Sequence, residues 1–77
     1  MCEELDQVVA SIKKHLLEFP NAADTVHGIA AWWLVHELPG IPEATVERAL
    51  ELLVESGFVR ARRMTNGTVI YALGRNT

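Results

Sequence analysis

The stretch that most constrains the fold of this chain is residues 41–59, where an amphipathic helical pattern ends at a glycine and continues into a strand pattern. Pro42 has the fixed φ that suits the start of a helix, and Gly57 can adopt the left-handed conformation that ends one. Four apolar residues recur at helical spacing: Val46, Ala49, Leu50 and Leu53. The pattern predicts a helix over residues 42–56 with one face in the core and one face presented.

A longer helical pattern covers residues 3–19 and opens the chain. Its apolar stripe consists of Leu5, Val8, Val9, Ile12, Leu16 and Phe19. Such a stripe can build either the core of a small protein or the seam of a dimer, and we expect it to build the core.

A second helix is predicted from Thr25 to His36, and this helix is apolar on nearly every side. Its expected core residues are Val26, Ile29, Ala30 and Trp33. The opposite side carries Gly28, Ala31, Trp32 and Val35. Two interpretations stay open for Trp32 and Val35. In the first, Trp32 packs against the first helix or the C-terminal hairpin. In the second, Trp32 and Val35 form a contact surface for a partner or a second copy, where tryptophan is often a hot spot.

The last pattern, residues 58–73, predicts a β-hairpin. Asn66-Gly67 is the strongest short hairpin signal because both residues tolerate the positive φ of a type I′ turn. A two-residue loop would place Arg62 opposite Tyr71, where the guanidinium can stack on the ring, and would put Arg60 on the same outward face. The other face would then carry Val59, Ala61, Arg63, Ile70 and Ala72.

The 77 residues, of which 49% are apolar, allow one domain over residues 1–77 with an ordered core of about 3–74. Core area is modest at this size, so a dimer is expected to add stability. Cys2 has no second cysteine with which to form an internal disulfide, and no apolar run approaches the length of a membrane span. The acidic start is unlike a signal peptide, and we expect a cytoplasmic protein that contacts no membrane.

Charge is distributed unevenly along the chain. Residues 1–55 hold all ten acidic residues and three basic ones, a formal charge of −7, whereas residues 56–77 hold four arginines and no acid, a charge of +4. An arginine patch can bind phosphate, but an acidic body repels a polyanion. The C-terminal part is therefore the basic surface that this sequence offers.

The histidines and the single cysteine form no recognisable catalytic or metal-binding motif. His15, His27, His36 and Cys2 show no pair at metal-ligand spacing on one helical face, and no phosphate-binding glycine loop or activated nucleophile occurs. We expect no enzyme activity, no cofactor and no metal.

Several short matches together resemble the winged helix-turn-helix family of bacterial transcription regulators. They are Thr25-Val26, Ile29-Ala30, Thr45-Val46, Ala49-Leu50, Leu53, Gly57-Phe58-Val59 and Tyr71-Ala72-Leu73. The resemblance covers roughly residues 5–73. It implies a small α+β fold of three helices followed by a two-stranded hairpin, the wing, with a possible short third strand before the second helix.

What the resemblance implies about function is binding of duplex DNA by a transcriptional regulator. Helix 42–56 would enter the major groove with Thr45 and Arg48 in reach of bases or phosphates, and wing 58–73 would meet the backbone. The wing residues expected to contact phosphate are Arg60, Arg62 and Arg63. The alternative is a winged-helix protein-interaction module that binds no DNA and docks through Trp32 and Val35 or through the wing.

Overall fold

The computed structural model describes residues 3–34, 38 and 40–74 and has an α+β fold of three helices and a three-stranded antiparallel sheet. Its elements are α1 (Glu3–Glu18), β1 (Ala23–Asp24), α2 (Val26–Gly28) continued by a π-helical segment (Ile29–Trp33), α3 (Glu43–Ser56), β2 (Val59–Arg63) and β3 (Val69–Leu73). The strand order is β1-β3-β2. This arrangement is consistent with the predicted winged-helix architecture, and β1 confirms the short third strand expected before the second helix.

Helix α3 has the buried face and the C-terminal boundary that its sequence predicts, but it begins at Glu43, one residue after the predicted start at Pro42. Pro42 is its N-cap residue, with φ −64°, and the Pro42 carbonyl accepts hydrogen bonds from the N–H groups of Thr45 and Val46 at 3.0 and 3.2 Å. Gly57 ends the helix with φ 86°, a conformation that favours glycine. The four predicted core residues are all buried: Val46, Ala49, Leu50 and Leu53.

Helix α1 lies against α3 and supplies the other half of the core. Val8, Ile12 and Leu16 are buried, and Leu5 and Val9 pack around them. The prediction that Phe19 belongs to this stripe is wrong, because its side chain is 56% exposed. The helix ends at Glu18, because a residue that precedes a proline disfavours the helical conformation. The Phe19 N–H still donates to the His15 carbonyl at 2.8 Å, but the Phe19 ring contacts His15 and is not part of the core cluster.

The second helix begins with a side-chain cap at Thr25, and its Gly28 is buried beside Asp24. Thr25 is the N-cap, and its Oγ1 accepts a hydrogen bond from the Gly28 N–H at 3.0 Å, while Asp24 Oδ1 accepts from the Thr25 N–H at 2.8 Å. The Asp24 carboxylate lies so close to Gly28 that a Cβ on Gly28 would come within 2.0 Å of its oxygen. The sequence pattern puts Gly28 on the side of this helix away from the core, but the structure buries it.

Residues Ile29–Trp33 form a π-helical turn, in which the Leu34 N–H donates to the Ile29 carbonyl at 3.2 Å. In an α-helix, residues five apart point about 140° away from each other. The wider turn brings them to the same side, and Ile29 and Leu34 are both fully buried. Leu34 is a core residue that the predicted stripe of this helix does not include. The π-helical segment ends at Trp33 with Leu34 as its C-cap, so the helix ends before the predicted His36, which itself lies outside the described residues.

The hairpin turns where Asn66-Gly67 predicts it, but its register differs by one residue from a two-residue loop. Its loop has three residues, because the Gly67 N–H donates to the Met64 carbonyl at 3.0 Å and the Met64 N–H donates to the Thr68 carbonyl at 2.7 Å. Gly67 has φ 91°, whereas no residue other than glycine among those described has a positive φ, which excludes a type I′ turn. A type I turn followed by a left-handed glycine fits these bonds.

The shifted register changes which residues share a face of the sheet. Val59 pairs with Leu73, Ala61 with Tyr71 and Arg62 with Ile70, so Arg62 does not lie opposite Tyr71 and the expected stacking pair is not formed. Val59 is buried, and Tyr71 and Leu73 pack against the same core cluster. We call this the inner face. The outer face carries Ala23, Arg60, Arg62, Ile70 and Ala72, none of which is buried.

Candidate interaction surfaces on α3, the wing and the second helix

The exposed face of α3 is acidic over its whole length. Its charged residues are Glu43, Glu47, Arg48, Glu51 and Glu55, and the other exposed residues of the helix are Ala44, Val54 and Ser56. Four glutamates against one arginine give this face a formal charge of −3. The glutamates recur at intervals of four residues, which places like charges next to each other on the helix surface and destabilises it slightly. The helix therefore carries this charge pattern although its own stability does not benefit.

Glu43, at the start of α3, also connects this helix to the second helix. His27 Nδ1 donates a hydrogen bond to Glu43 Oε2 at 2.6 Å, and the two side chains are 78% and 54% exposed. This contact crosses the loop between the second helix and α3. It identifies His27 as a surface residue that contacts a carboxylate, a partner that the sequence does not indicate.

The two α3 residues expected to contact DNA lie at the edge of this acidic face. Thr45 is half-buried, and it lines a shallow groove of about 220 Å³ together with Leu5, Ala44 and Arg48. The Arg48 guanidinium donates a hydrogen bond to Glu51 at 3.1 Å. The positive charge expected to attract phosphate is thus already engaged by a carboxylate on the same helix.

The pKa of Tyr71, on the inner face of the sheet, is affected by the acidic residues of α3. Burial raises the pKa of its hydroxyl above the ordinary 10.0, and the charges of Glu47 and Glu51 raise the pKa further. The negative charges of Glu47 and Glu51 on α3 therefore act on Tyr71 of β3. A phosphate group approaching both elements would meet these carboxylates.

We expect this arrangement to make stability fall at alkaline pH. The raised pKa means that the folded chain keeps the Tyr71 proton at pH values where the unfolded chain has lost it, so the free energy of unfolding decreases as the pH rises above about 10. Chemical denaturation at a series of pH values should show a shallower alkaline decrease for Tyr71→Phe than for the wild type. An identical decrease in both proteins would contradict this role for Tyr71.

The wing arginines expected to contact phosphate are exposed but lie on two faces. Arg60 and Arg62 lie on the outer face of β2, and Arg63 lies on the inner face near the hairpin tip. Within the part of the chain that the structure describes, none of the three makes an ion pair. These three arginines are the only charged residues in the described range 58–74 and give it a charge of +3. The basic surface predicted from the sequence is therefore available for a contact.

Trp32 lies on the π-helical segment with 73% of its surface exposed. The first interpretation of this residue, that it packs against α1 or the wing, is therefore wrong. The second interpretation, that it contacts a partner or a second copy, stays a prediction. Val35, expected on the same surface, lies outside the described residues.

The neighbouring Trp33 has a different environment from Trp32. Its ring stacks on His15 of α1 with 4.3 Å between centroids and an interplanar angle of 17°, and His15 also contacts the ring of Phe19 at 5.0 Å. Both Trp33 and His15 are half-buried. His15 thus packs between two aromatic rings, a role that its spacing in the sequence does not reveal.

The described residues offer neither a cluster of metal ligands nor a membrane-spanning helix. Among them, no group of three or more histidine, cysteine, aspartate or glutamate side chains is arranged so that it could hold a metal ion. No helix in the same part of the chain is both long enough and apolar enough to span a bilayer.

Comparison with protein families and curated proteins assigns no function to these surfaces. No model of a protein family matches this chain, and no curated protein matches it.

Proposed function

We propose that this domain is a winged-helix protein-interaction module, in which the exposed face of α3 docks a basic segment of a protein partner. One observation carries the proposal. The helix that a DNA reader would insert into the major groove presents four glutamates and one arginine, and that arginine is bound to Glu51. Such a face repels the phosphate backbone and attracts lysine and arginine side chains.

Trp32 gives the proposal further support. Trp32 is 73% exposed, and tryptophan is enriched among the residues that contribute most to binding at the centres of protein interfaces. The His27–Glu43 hydrogen bond joins the second helix, which carries Trp32, to the start of the acidic face. The proposal includes no catalytic activity, metal or cofactor. It places the domain in the cytoplasm, which agrees with a sequence that holds a single cysteine.

Binding of duplex DNA by a transcriptional regulator is the second candidate function, and the wing favours it. Arg60, Arg62 and Arg63 are exposed and make no ion pair within the described residues. In this mechanism the three arginines would contact the backbone, and Thr45 and Arg48 would reach bases or phosphates. The acidic face of α3 beside the wing opposes such binding, and we rank this function second for that reason.

Titration of the purified domain with two probes tests the proposal. The probes are a peptide of alternating arginine and alanine residues and a duplex DNA of random sequence, each at several salt concentrations. The wild type should bind the peptide, and Glu47→Gln combined with Glu51→Gln should weaken that binding about tenfold. The matched control combines Glu3→Gln and Glu4→Gln, which remove the same charge from exposed positions on α1, and it should change the affinity less than twofold.

The outcomes separate the two functions. Equal weakening by both double variants would mean that the peptide senses only net charge, and the docking face on α3 would be rejected. Tight binding of duplex that disappears when Arg60, Arg62 and Arg63 are changed to alanine would establish DNA as the ligand instead. In that case the slope of log affinity against log salt should fall by about one for every phosphate that the triple variant no longer binds.

A further inference from the structure

We infer that the basic partner of the acidic α3 face is the outer face of the sheet in a second copy of this chain. The inference rests on the proposed function and names the partner for the same surface. It follows from the outer face itself, which no described element covers and which has the charge and spacing that α3 requires.

The outer face combines an apolar floor with two cations. Ile70 and Ala72 lie side by side with Arg62 and Arg60, their register partners, and Ala23 of β1 pairs with Ala72. All helices whose packing is described lie on the other side of the sheet, where Val59 is buried. This face is therefore a sheet surface that has aliphatic side chains but, within the described part of the chain, no covering element.

The spacing of charges on the two surfaces is similar. Glu47, Glu51 and Glu55 follow one another at four-residue intervals, a rise of about 6 Å along a helix axis. Arg60 and Arg62 are two residues apart on a strand, which separates them by about 6.7 Å. A helix lying along β2 can thus place consecutive carboxylates opposite consecutive guanidinium groups.

Charge explains why this pairing is between unlike surfaces. Two α3 faces repel each other, since each has a formal charge of −3, and two outer sheet faces repel each other through their arginines. The contact that brings opposite charges together joins α3 of one copy to the outer face of the sheet in another copy. The aliphatic floor adds apolar contact that exposed ion pairs alone do not provide.

Such a contact should be weak and sensitive to salt. Exposed ion pairs contribute little individually, so we expect a dissociation constant on the order of 100 μM at low ionic strength. Raising the salt concentration to about 0.5 M should weaken the association by about tenfold or more, because the charges are exposed to solvent.

Sedimentation equilibrium of two charge-reversed variants, alone and mixed, tests the pairing. Arg60→Glu with Arg62→Glu makes both surfaces acidic, and Glu47→Arg with Glu51→Arg makes both surfaces basic. Each variant alone should stay monomeric at concentrations where the wild type associates. An equimolar mixture should associate at least as well as the wild type, because each acidic surface then has a basic surface to bind. Circular dichroism verifies that both variants fold.

A single-residue comparison provides the matched control. Arg62 and Arg63 are neighbours on β2 that point to opposite faces of the sheet. Arg62→Glu should weaken self-association about tenfold, whereas Arg63→Glu, with the same charge change, should change it less than twofold. Equal effects of the two substitutions would overturn the assignment to the outer face.

Two further results would overturn the inference. One is a wild type that stays monomeric up to about 1 mM at low salt, a concentration far above the expected dissociation constant. The other is association of the wild type that the mixture of variants does not reproduce. If the wild type is monomeric but the arginine peptide still binds α3, the inference fails and the proposed function stands. If neither contact forms, both fail.

Discussion

Changing Glu47 and Glu51 to arginine is expected to create affinity for duplex DNA where the wild type has little. The substitutions change the exposed face of α3 from four glutamates and one arginine to two glutamates and three arginines, a formal charge of +1 instead of −3. They also free Arg48 from its bond to Glu51. The variant would then present three arginines on α3 and three on the wing, where Arg60 and Arg62 lie on the outer face of the sheet and Arg63 on the inner face. We expect the affinity for duplex at low salt to rise about a hundredfold.

The salt dependence of binding shows whether the new affinity comes from phosphate contacts. Measured by fluorescence anisotropy at several salt concentrations, log affinity should fall with log salt with a slope of about −3 to −5. The control is Glu3→Arg with Glu18→Arg, which changes the net charge equally at the two ends of α1 and should have a much smaller effect. A wild type that already binds as tightly as the variant would contradict the view that the acidic helix excludes DNA.

Leu50→Ala is expected to cause the largest loss of stability that we predict. Leu50 is fully buried at the centre of the cluster formed by α1 and α3. Removing its side-chain atoms leaves a cavity and should cost about 3 kcal/mol. The free energy of unfolding of a domain of this size is about 4–12 kcal/mol in total. Since 1 kcal/mol corresponds to about 4–8 °C at this size, the melting temperature should fall by about 12–24 °C.

Thermal unfolding of Trp32→Ser provides the contrast. Trp32 is the larger side chain, but 73% of it is exposed, and its replacement should change the free energy of unfolding by less than about 1 kcal/mol. If Trp32→Ser destabilised the domain as much as Leu50→Ala, the side chain would belong to the core. Similar melting temperatures for the wild type and Trp32→Ser would agree with a surface role.

Parts of the candidate surfaces could be predicted from the sequence, and others could not. The exposure of the α3 glutamates follows from helical spacing. The positive charge of the wing follows from the absence of acidic residues after Glu55. The engagement of Arg48 by Glu51 and of Glu43 by His27 depends on side-chain geometry. The first pair lies three residues apart on one helix, but the second joins residues 16 apart, and no local pattern indicates it.

The exposure of Trp32 and the π-helical turn of the second helix could not be predicted from local sequence patterns either. The sequence pattern favours a core side with Val26, Ile29, Ala30 and Trp33, but the opposite side is apolar as well, so two positions stay open for Trp32, one covered and one exposed. The tertiary structure selects one by a π-helical turn, which buries Ile29 and Leu34 together and leaves Trp32 outside. Which tryptophan is covered depends on a contact with α1, because His15 of α1 stacks on Trp33 and not on Trp32.

The sequence by itself determined the elements whose signals are local: α3 from Pro42 to Gly57, its buried face, and a hairpin that turns at Asn66-Gly67. The tertiary structure decided the hairpin register, because Asn-Gly suits more than one turn. With a two-residue loop, Val59 and Leu73 would lie on opposite faces of the sheet. The three-residue loop puts both on the inner face with Tyr71, where they pack against the core. Burial of that face specifies the register, since a slip of one residue would turn every side chain on one strand to the other side.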